Sequence, residues 1–569
     1  MELFLIDAIG PFFRGYRKKR VNWSKIPFPH LATLSEDDWR AVEDELRSFA
    51  RQVSAQGYNA VTLDDLAHLA RHPLHESDVA ATIGRLRPRF ERYIRMLHEE
   101  FGLRVYLTSD VLPLTPALEE VFDGDAGLLQ EYYRQLVADV LDDFPLLSGI
   151  ILRIGESDGH DVDDPIRTRL HLRDADETNR LLRGLLPEFE ARGKDLIFRT
   201  WTVGAHRIGD LIWHRGTLER TLAGIDSERL IVSMKHGESD FFRYLPLNHA
   251  FFRVKQRKII ELQARREYEG AGEYPSFIGW DCERFAHDLT HAENVVGMSV
   301  WCQTGGWHRF RRRAYLEQDN RDVWIRLNTE AAITVFRHGG TAEDAVAKVC
   351  GDTADAALEL LRDADVVIRE LLYIGDFARQ KLFFRRVRIP PLFHVYWDCL
   401  FINHGVRKLM RHFVTDSEGS IQRGEQAAVL FPPMIDAARR AGLPVEDIEH
   451  MRDFLHLALL ARRYYFLPYD LGLVEEIAAA KKAYKLRWPK ETRSRYRVKV
   501  SFEPFPLKRR TLSLAARLLL RKQRGYRMID RVFTLYLSGI AYRTLRPRDP
   551  RAMPKFLRKS AMGVDAVFR

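Results

Sequence analysis

Asp240 and Glu267 are the residues in this chain whose type and position could do chemistry. Each ends a segment that begins apolar and finishes in charge: LIVSMKHGESDFFRYLP over residues 230–246 and KIIELQARREYEG over residues 258–270. A buried parallel strand has this texture when its last residues emerge into a cleft. Lys235 stands shortly before Asp240. Two carboxylates beside a cation on neighbouring strand ends are what acid–base cleavage of a glycosidic bond requires. Structural salt bridges closing a barrel mouth would use the same residue types, so the elements that position them matter.

Eight short apolar runs lie in the first 310 residues: MELFLIDAI, YNAVTLDD, LRVYLTSD, SGIILRIGE, DLIFRTWTV, RLIVSMKHG, KIIELQARREY and VVGMSVWCQT. Segments with helical periodicity separate most of them, such as DDWRAVEDELRSFARQVSAQG and DETNRLLRGLLPEFEARG. Eight strands alternating with helices predict an α/β fold, a (β/α)8 TIM barrel over residues 1–310. Chemistry in that fold sits at the C-terminal ends of the strands. Those ends hold Asp7, Asp64 and Asp65, Asp110, Glu156 and Asp158, Arg199 and Trp201, Lys235 and Asp240, Glu267, and Trp301 and Trp307. Acids, bases and tryptophans recurring at the same ends suit a sugar-binding cleft. Arg153, Arg199 and Lys235 could receive a carboxylate on the substrate, because a guanidinium pairs with it bidentately. Trp201, Trp301 and Trp307 could stack on sugar faces, although a single tryptophan more often packs. His160, His206, His236 and His308 follow strand ends without a metal-ligand spacing, so no metal is expected. The sequence has no Walker loop, GxGxxG fingerprint or HExxH motif, and no cofactor is expected.

Beyond residue 310 the periodicity becomes helical, as in TAEDAVAKV, DAALELLRDADVVIRELLYIG and VEDIEHMRDFLHLALLARRYYFL. This predicts an α-helical C-terminal domain over residues 311–485, followed by a basic helical tail over residues 486–569. The helical domain is where a homodimer contact is expected. Residues 481–569 hold 26 Lys and Arg against 5 Asp and Glu, a balance of +21. The other 480 residues hold 63 against 74, a balance of −11. An acidic body with a basic end calls for an anionic partner such as a membrane surface, a nucleic acid or an acidic glycan. TLSLAARLLLRKQRGYRMIDRVFTLYLSGIAYRTL interleaves apolar residues with arginines, as an interfacial helix does. The N-terminus reads as a first strand without the basic region of a signal peptide. The four cysteines Cys282, Cys302, Cys350 and Cys399 are widely spaced, which suits a reduced compartment. The expected location is cytoplasmic, peripheral to the inner face of the membrane.

Several segments, in order across roughly residues 55–350, resemble the catalytic domain of glycoside hydrolase family 67, the α-glucuronidases. These are LRVYLTSD, FPLLSGIILRIGESDG, LIFRTWTV, SMKHGESDF, ELQARREYEG and GMSVWCQTGGWHRF. The resemblance implies an inverting hydrolase of an acidic sugar. Asp240 and Glu267 match the positions that handle the attacking water, and Arg153, Arg199 and Lys235 match basic positions lining the uronic acid pocket. The general acid falls near residue 157, which is Ser here, with Glu156 preferred and Asp158 in reserve. The family carries an N-terminal β-sandwich, whereas this chain is read as starting at the barrel. The departures leave a second reading open, a non-hydrolytic barrel that binds an anionic glycan or lipid-linked saccharide and is held at a membrane by its basic tail.

Overall fold

Eight parallel strands run in chain order around a closed barrel: β1 (Leu3–Asp7), β2 (Ala60–Leu63), β3 (Arg104–Asp110), β4 (Leu147–Arg153), β5 (Asp195–Arg199), β6 (Leu230–Lys235), β7 (Arg257–Gln263) and β8 (Val295–Trp301). The computed structural model describes the chain except residues 17–25, 155–163, 169–170, 201–207, 209–210, 212–215, 239, 304–311, 383–394, 397–398, 504–513, 516–517, 522–526, 546–567 and 569. β8 returns to β1, with Leu3 opposite Gly297 and Ile6 opposite Val300. A Cβ on Gly297 would collide with the carbonyl of Leu3, so the seam closes on a residue without a side chain.

A strand points alternate side chains to opposite faces. Leu3, Leu5, Ala60, Tyr106, Ile151, Ile197, Ile231 and Ile259 form one small cluster inside the barrel. Their neighbours, among them Phe4, Ile6, Val61, Leu107, Ile150, Phe198 and Val232, join the core shared with the surrounding helices. Long helices such as Glu36–Gln56, Ser77–Glu99, Ala126–Asp143 and Ala175–Ala191 form that outer layer. Glu36–Gln56 shows how its ends are set. Ser35 and Asp38 make a reciprocal cap at the start, and Gly57, at φ 111°, ends it in a left-handed conformation.

The expected helices after residue 310 form Ala342–Cys350, Ala354–Val367 and Val445–Phe466. Val445–Phe466 buries most of its residues at the centre of a second core, with Glu446 and His456 left exposed. A small three-stranded sheet interrupts this helical region, with Val395–Tyr396 antiparallel and Arg497–Ser501 parallel to Cys399–Asn403, and Lys381–Leu382 pairs antiparallel with Leu520–Arg521. The sequence reading ends the strands at the barrel and misses this sheet. Arg497–Ser501 lies in an arginine-rich stretch, and its partner lies about a hundred residues away. Trp488, Tyr496 and Val498 are buried in the same core, so the first part of the basic segment packs with the helices.

The loop after β7 joins the two regions. Its Ala271, Tyr274 and Phe277 belong to the helical core, and the Gly270 N–H donates to the Tyr496 hydroxyl at 2.9 Å. Arg243 donates to Glu269 at 3.2 and 2.8 Å and to Asp365 of the helical region at 2.6 Å. The Tyr373 hydroxyl donates to Glu269 at 2.7 Å. Burial pushes the Glu269 carboxyl up, but the charges of Arg243 and Arg266 outweigh it and hold the group well below the usual carboxylate range. A second knot surrounds Asp447, which accepts from Arg312, Trp324 and Arg493 at 2.6–2.7 Å.

Glu273 stands beside that knot, with Arg493 Nη2 3.6 Å away. Burial pushes its carboxyl up to about 7; Arg312 and Arg493 oppose the rise and Asp447 adds to it. A carboxyl whose pKa is raised in the folded state binds its proton more tightly there. Its contribution to stability is full below the unfolded value of 4.5 and is lost as pH rises through about 7. We therefore expect unfolding free energy to fall more steeply in the wild type than in Glu273→Gln between about pH 5 and pH 8, with a difference on the order of 3 kcal/mol. Urea denaturation of both proteins across that range measures it, and parallel curves would refute it.

Candidate functional site

The layer above the apolar barrel interior follows from strand periodicity. Two residues beyond Leu5, Ala60, Tyr106, Ile151, Ile197, Ile231 and Ile259 stand Asp7, Thr62, Thr108, Arg153, Arg199, Ser233 and Glu261, all buried. The inward phase therefore turns from apolar to polar within one step, at the C-terminal ends of the strands. Charges held there must pair or be hydrogen-bonded, because desolvation of an isolated ion is costly.

On the β2–β4 side the centre is Arg153, whose side chain is fully buried. Its Nε lies 2.9 Å from Asp110 Oδ1, and its Nη2 lies 3.3 Å from Asp65 Oδ2 and 3.8 Å from Asp64 Oδ1. Asp64 also accepts from the Ile26 N–H at 3.1 Å, and Asp65 from the Ala67 N–H at 2.8 Å. Asp7 closes the neighbouring seam by accepting from the N–H groups of Cys302 and Gln303 at 2.5–3.1 Å.

On the β5–β8 side the centre is Glu261. Arg199 grips it bidentately, with both bonds at 2.7 Å. Ser233 donates to it at 2.6 Å and the Trp301 indole at 3.2 Å. The Arg199 guanidinium also lies 4.7 Å from the centre of the Trp301 ring. Burial raises the Glu261 carboxyl, but Arg199, with help from Lys235 and Ser233, brings the net shift downward.

Asp240 and Glu267 sit at the rim beside this unit. Asp240 Oδ1 accepts from Lys235 Nζ at 2.7 Å and from the Phe241 N–H at 3.0 Å. Its Oδ2 accepts from the Tyr268 hydroxyl at 2.7 Å. Tyr268 is the chain neighbour of Glu267, so the loops after β6 and β7 are tied together next to both carboxylates. The Glu267 N–H donates to Gln263 Oε1 at 2.8 Å, which fixes the start of its loop. Phe241, Phe242, Leu245, Tyr268 and Trp301 form an apolar cluster at this rim, with Phe242 stacked on Tyr268 at 4.1 Å.

The structure thus places Arg153, Arg199, Lys235, Asp240, Glu267 and Trp301 at the barrel mouth. It joins Lys235 to Asp240 and Arg199 to Trp301, and sets Arg153 among the acids of β2 and β3. Glu156, Asp158, Trp201 and Trp307 lie outside the described residues. His236 is buried and stacked on Phe285 at 4.9 Å; burial, then Arg266, lowers it to about 3, which suits packing. Among the described residues no group of three His, Cys, Asp or Glu side chains could hold a metal ion. The sequence reading overlooked Glu261 and Tyr268. Glu261 had a signal, since it shares the inward phase of Ile259 and stands between the apolar Ile260 and Leu262; Tyr268 had none beyond its place next to Glu267. Lys235, Asp240, Glu267, Tyr268 and Trp301 are all buried; together they set oriented carboxylates, a cation and an aromatic wall at the C-terminal end of the barrel, residue types suited to general acid–base work on a polar substrate.

No protein-family model matches the chain, and no curated protein matches it. Among solved structures it is similar to a GH138 enzyme targeting pectin rhamnogalacturonan II, with a TM-score of 0.51 and 10% identity. That alignment covers 86% of this chain and 62% of the other, so the chain spans less than two thirds of that enzyme's length. Looser alignments are found with an O-GlcNAc hydrolase from Thermobaculum terrenum (TM-score 0.37, 12% identity, 78% of this chain and 85% of that one). The same holds for a family 89 glycoside hydrolase from Clostridium perfringens (0.34, 10%, 87% and 68%). These two are too distant to weigh. The first likeness shows the fold, a (β/α)8 barrel with a helical region after it.

Glu261 is the test of how the mouth is held. Glu261→Gln leaves the buried Arg199 without its carboxylate, and breaking a buried pair costs about 3–5 kcal/mol. Urea unfolding of the variant should show that loss; a change within about 0.5 kcal/mol would mean the pair does not support the mouth.

Proposed function

We propose that this protein is a glycoside hydrolase, and that it cleaves glycosides of an acidic sugar with inversion, as α-glucuronidases do. The observation that carries the reading is Asp240, held by Lys235 and Tyr268 at the C-terminal mouth of the barrel with Glu267 next in chain to that tyrosine. Support also comes from the fold shared with an enzyme that targets a pectin polysaccharide, and from the resemblance of residues 55–350 to glycoside hydrolase family 67.

In this reading Asp240 and Glu267 orient a water on one face of the sugar and take its proton as it attacks the anomeric carbon. Glu156, or Asp158 in its place, delivers a proton to the leaving oxygen from the other side. Inversion needs room for that water, a separation of roughly 6.5–9.5 Å between acid and base. Trp301, with Trp201 and Trp307, would line the sugar's path. A substrate carboxylate must compete with an internal one for each cation. Arg153 is held by three aspartates and Arg199 bidentately by Glu261, so the reading assigns the substrate carboxylate to Lys235, which lies 2.7 Å from Asp240 and 4.6 Å from the centre of the Phe241 ring. Handing Lys235 to the substrate would also open one lone pair of Asp240 Oδ1, which keeps the Phe241 N–H, toward the water.

The same pairing favours one other reading. A mouth whose Asp240 and Glu261 are already held by internal cations can bind a saccharide without turning it over, as a carbohydrate-binding barrel would.

Aryl glycosides and oligosaccharides ending in neutral and uronic sugars separate the two. The full chain should turn over an acidic glycoside, and Glu267→Gln or Asp240→Asn should lower kcat by about a thousandfold without loss of folding. Lys235→Met should raise KM for the uronide more than for a neutral glycoside. Binding without turnover by the wild type would select the carbohydrate-binding barrel, and equal effects of Lys235→Met on both sugars would remove the acidic-sugar reading.

A further inference from the structure

The segments Met528–Asp530, Arg531–Leu537 and Ser538–Leu545 follow one another as a continuous helical stretch. Its sides are inverted relative to a helix packed into a globular core. Asp530 and Thr534 are buried, at 1% and 5% exposure. Asp530 accepts from the Arg527 N–H at 2.6 Å, and the Thr534 hydroxyl donates back to the Asp530 carbonyl at 2.6 Å. The large apolar side chains point outward instead: Met528, Val532, Tyr536 and Ile540 at spacing four, with Ile529, Phe533 and Leu537 beside them. Met528 is 83% exposed, Tyr536 70% and Ile540 60%. At that spacing successive side chains fall on one face of the helix. A contiguous apolar face of this kind on a soluble surface marks an interaction site.

We propose that this face docks on an anionic lipid surface. Beyond the strand Arg497–Ser501, residues 502–569 carry 17 Lys and Arg against 4 Asp and Glu, and a negative membrane surface attracts such a segment while its apolar face enters the headgroup boundary. No helix among the described residues is long and apolar enough to cross a membrane, so the contact is in the plane of the surface. Nucleic acid is the weaker fit, because its backbone rewards outward cations and has no place for seven outward apolar side chains. A second copy of the chain is weaker too, because pairing these faces would bring two strongly basic segments together. The proposal does not depend on the enzymatic reading.

The test is flotation of the full chain with vesicles of phosphatidylcholine alone and of phosphatidylcholine with about one third phosphatidylglycerol. The wild type should bind the second and not the first, less so as salt is raised. Phe533→Asp with Tyr536→Asp should weaken binding at least about tenfold while thermal unfolding is unchanged. If that variant fails to fold, Tyr536→Trp gives a second measure, an emission shifted to the blue relative to wild type when anionic vesicles are added. Absence of vesicle binding, binding indifferent to the aspartates, or a Tyr536→Trp emission that does not move would each overturn the proposal. So would duplex DNA binding, or a dimer abolished by Phe533→Asp, in a chain that ignores anionic vesicles.

Discussion

Pairing of buried charge at the barrel mouth is the constraint to which the surrounding structure answers. A closed parallel barrel sends every second side chain toward its axis, and here that phase runs from Ile259 to Glu261 and from Ile197 to Arg199 in one step. Neither charge is tolerable alone in that position. Their bidentate pairing, supported by Ser233 and the Trp301 indole, joins β5, β6, β7 and β8 through one carboxylate. Arg153 does the same for β2, β3 and β4 through three aspartates. The mouth thus has a charge-matched half around Glu261 and Arg199 and an acid-rich half in which one guanidinium serves three aspartates, with Lys235, Asp240 and Glu267 beside the first.

Rigidity at the rim comes from outside the barrel. The loop that carries Glu267 continues into Glu269, which Arg243 and Arg266 grip, and then into Tyr274 and Phe277 within the helical core. Asp365 and Tyr373 of the helical region complete that network. A helical region packed on the C-terminal side of β7 therefore acts as the back wall of the candidate site. A carboxylate that must meet its substrate within a fraction of an ångström needs such support behind it. The basic end of the chain is held differently. Arg497–Ser501 adds a strand to the helical region, while the stretch from Met528 onward turns its apolar side chains away from the protein.

The eight strands, their order, the long helices between them and the turn from apolar to charged residues at strand ends were all legible in the residues alone, because each depends on local periodicity. So was the charge asymmetry between body and tail. Asp240 and Glu267 could be singled out because they follow apolar runs in plain sequence. What only the tertiary structure decided was partnership. Glu261 is 62 residues from Arg199, and Arg153 is 88 from Asp65, and no local pattern says which acid a buried arginine will meet. Separation in sequence also hid the pairing of Cys399–Asn403 with Arg497–Ser501 and the Tyr268 bond to Asp240, 28 residues apart. Periodicity assigns a side chain to a face; barrel closure and register, which are properties of all eight strands at once, assign it a partner.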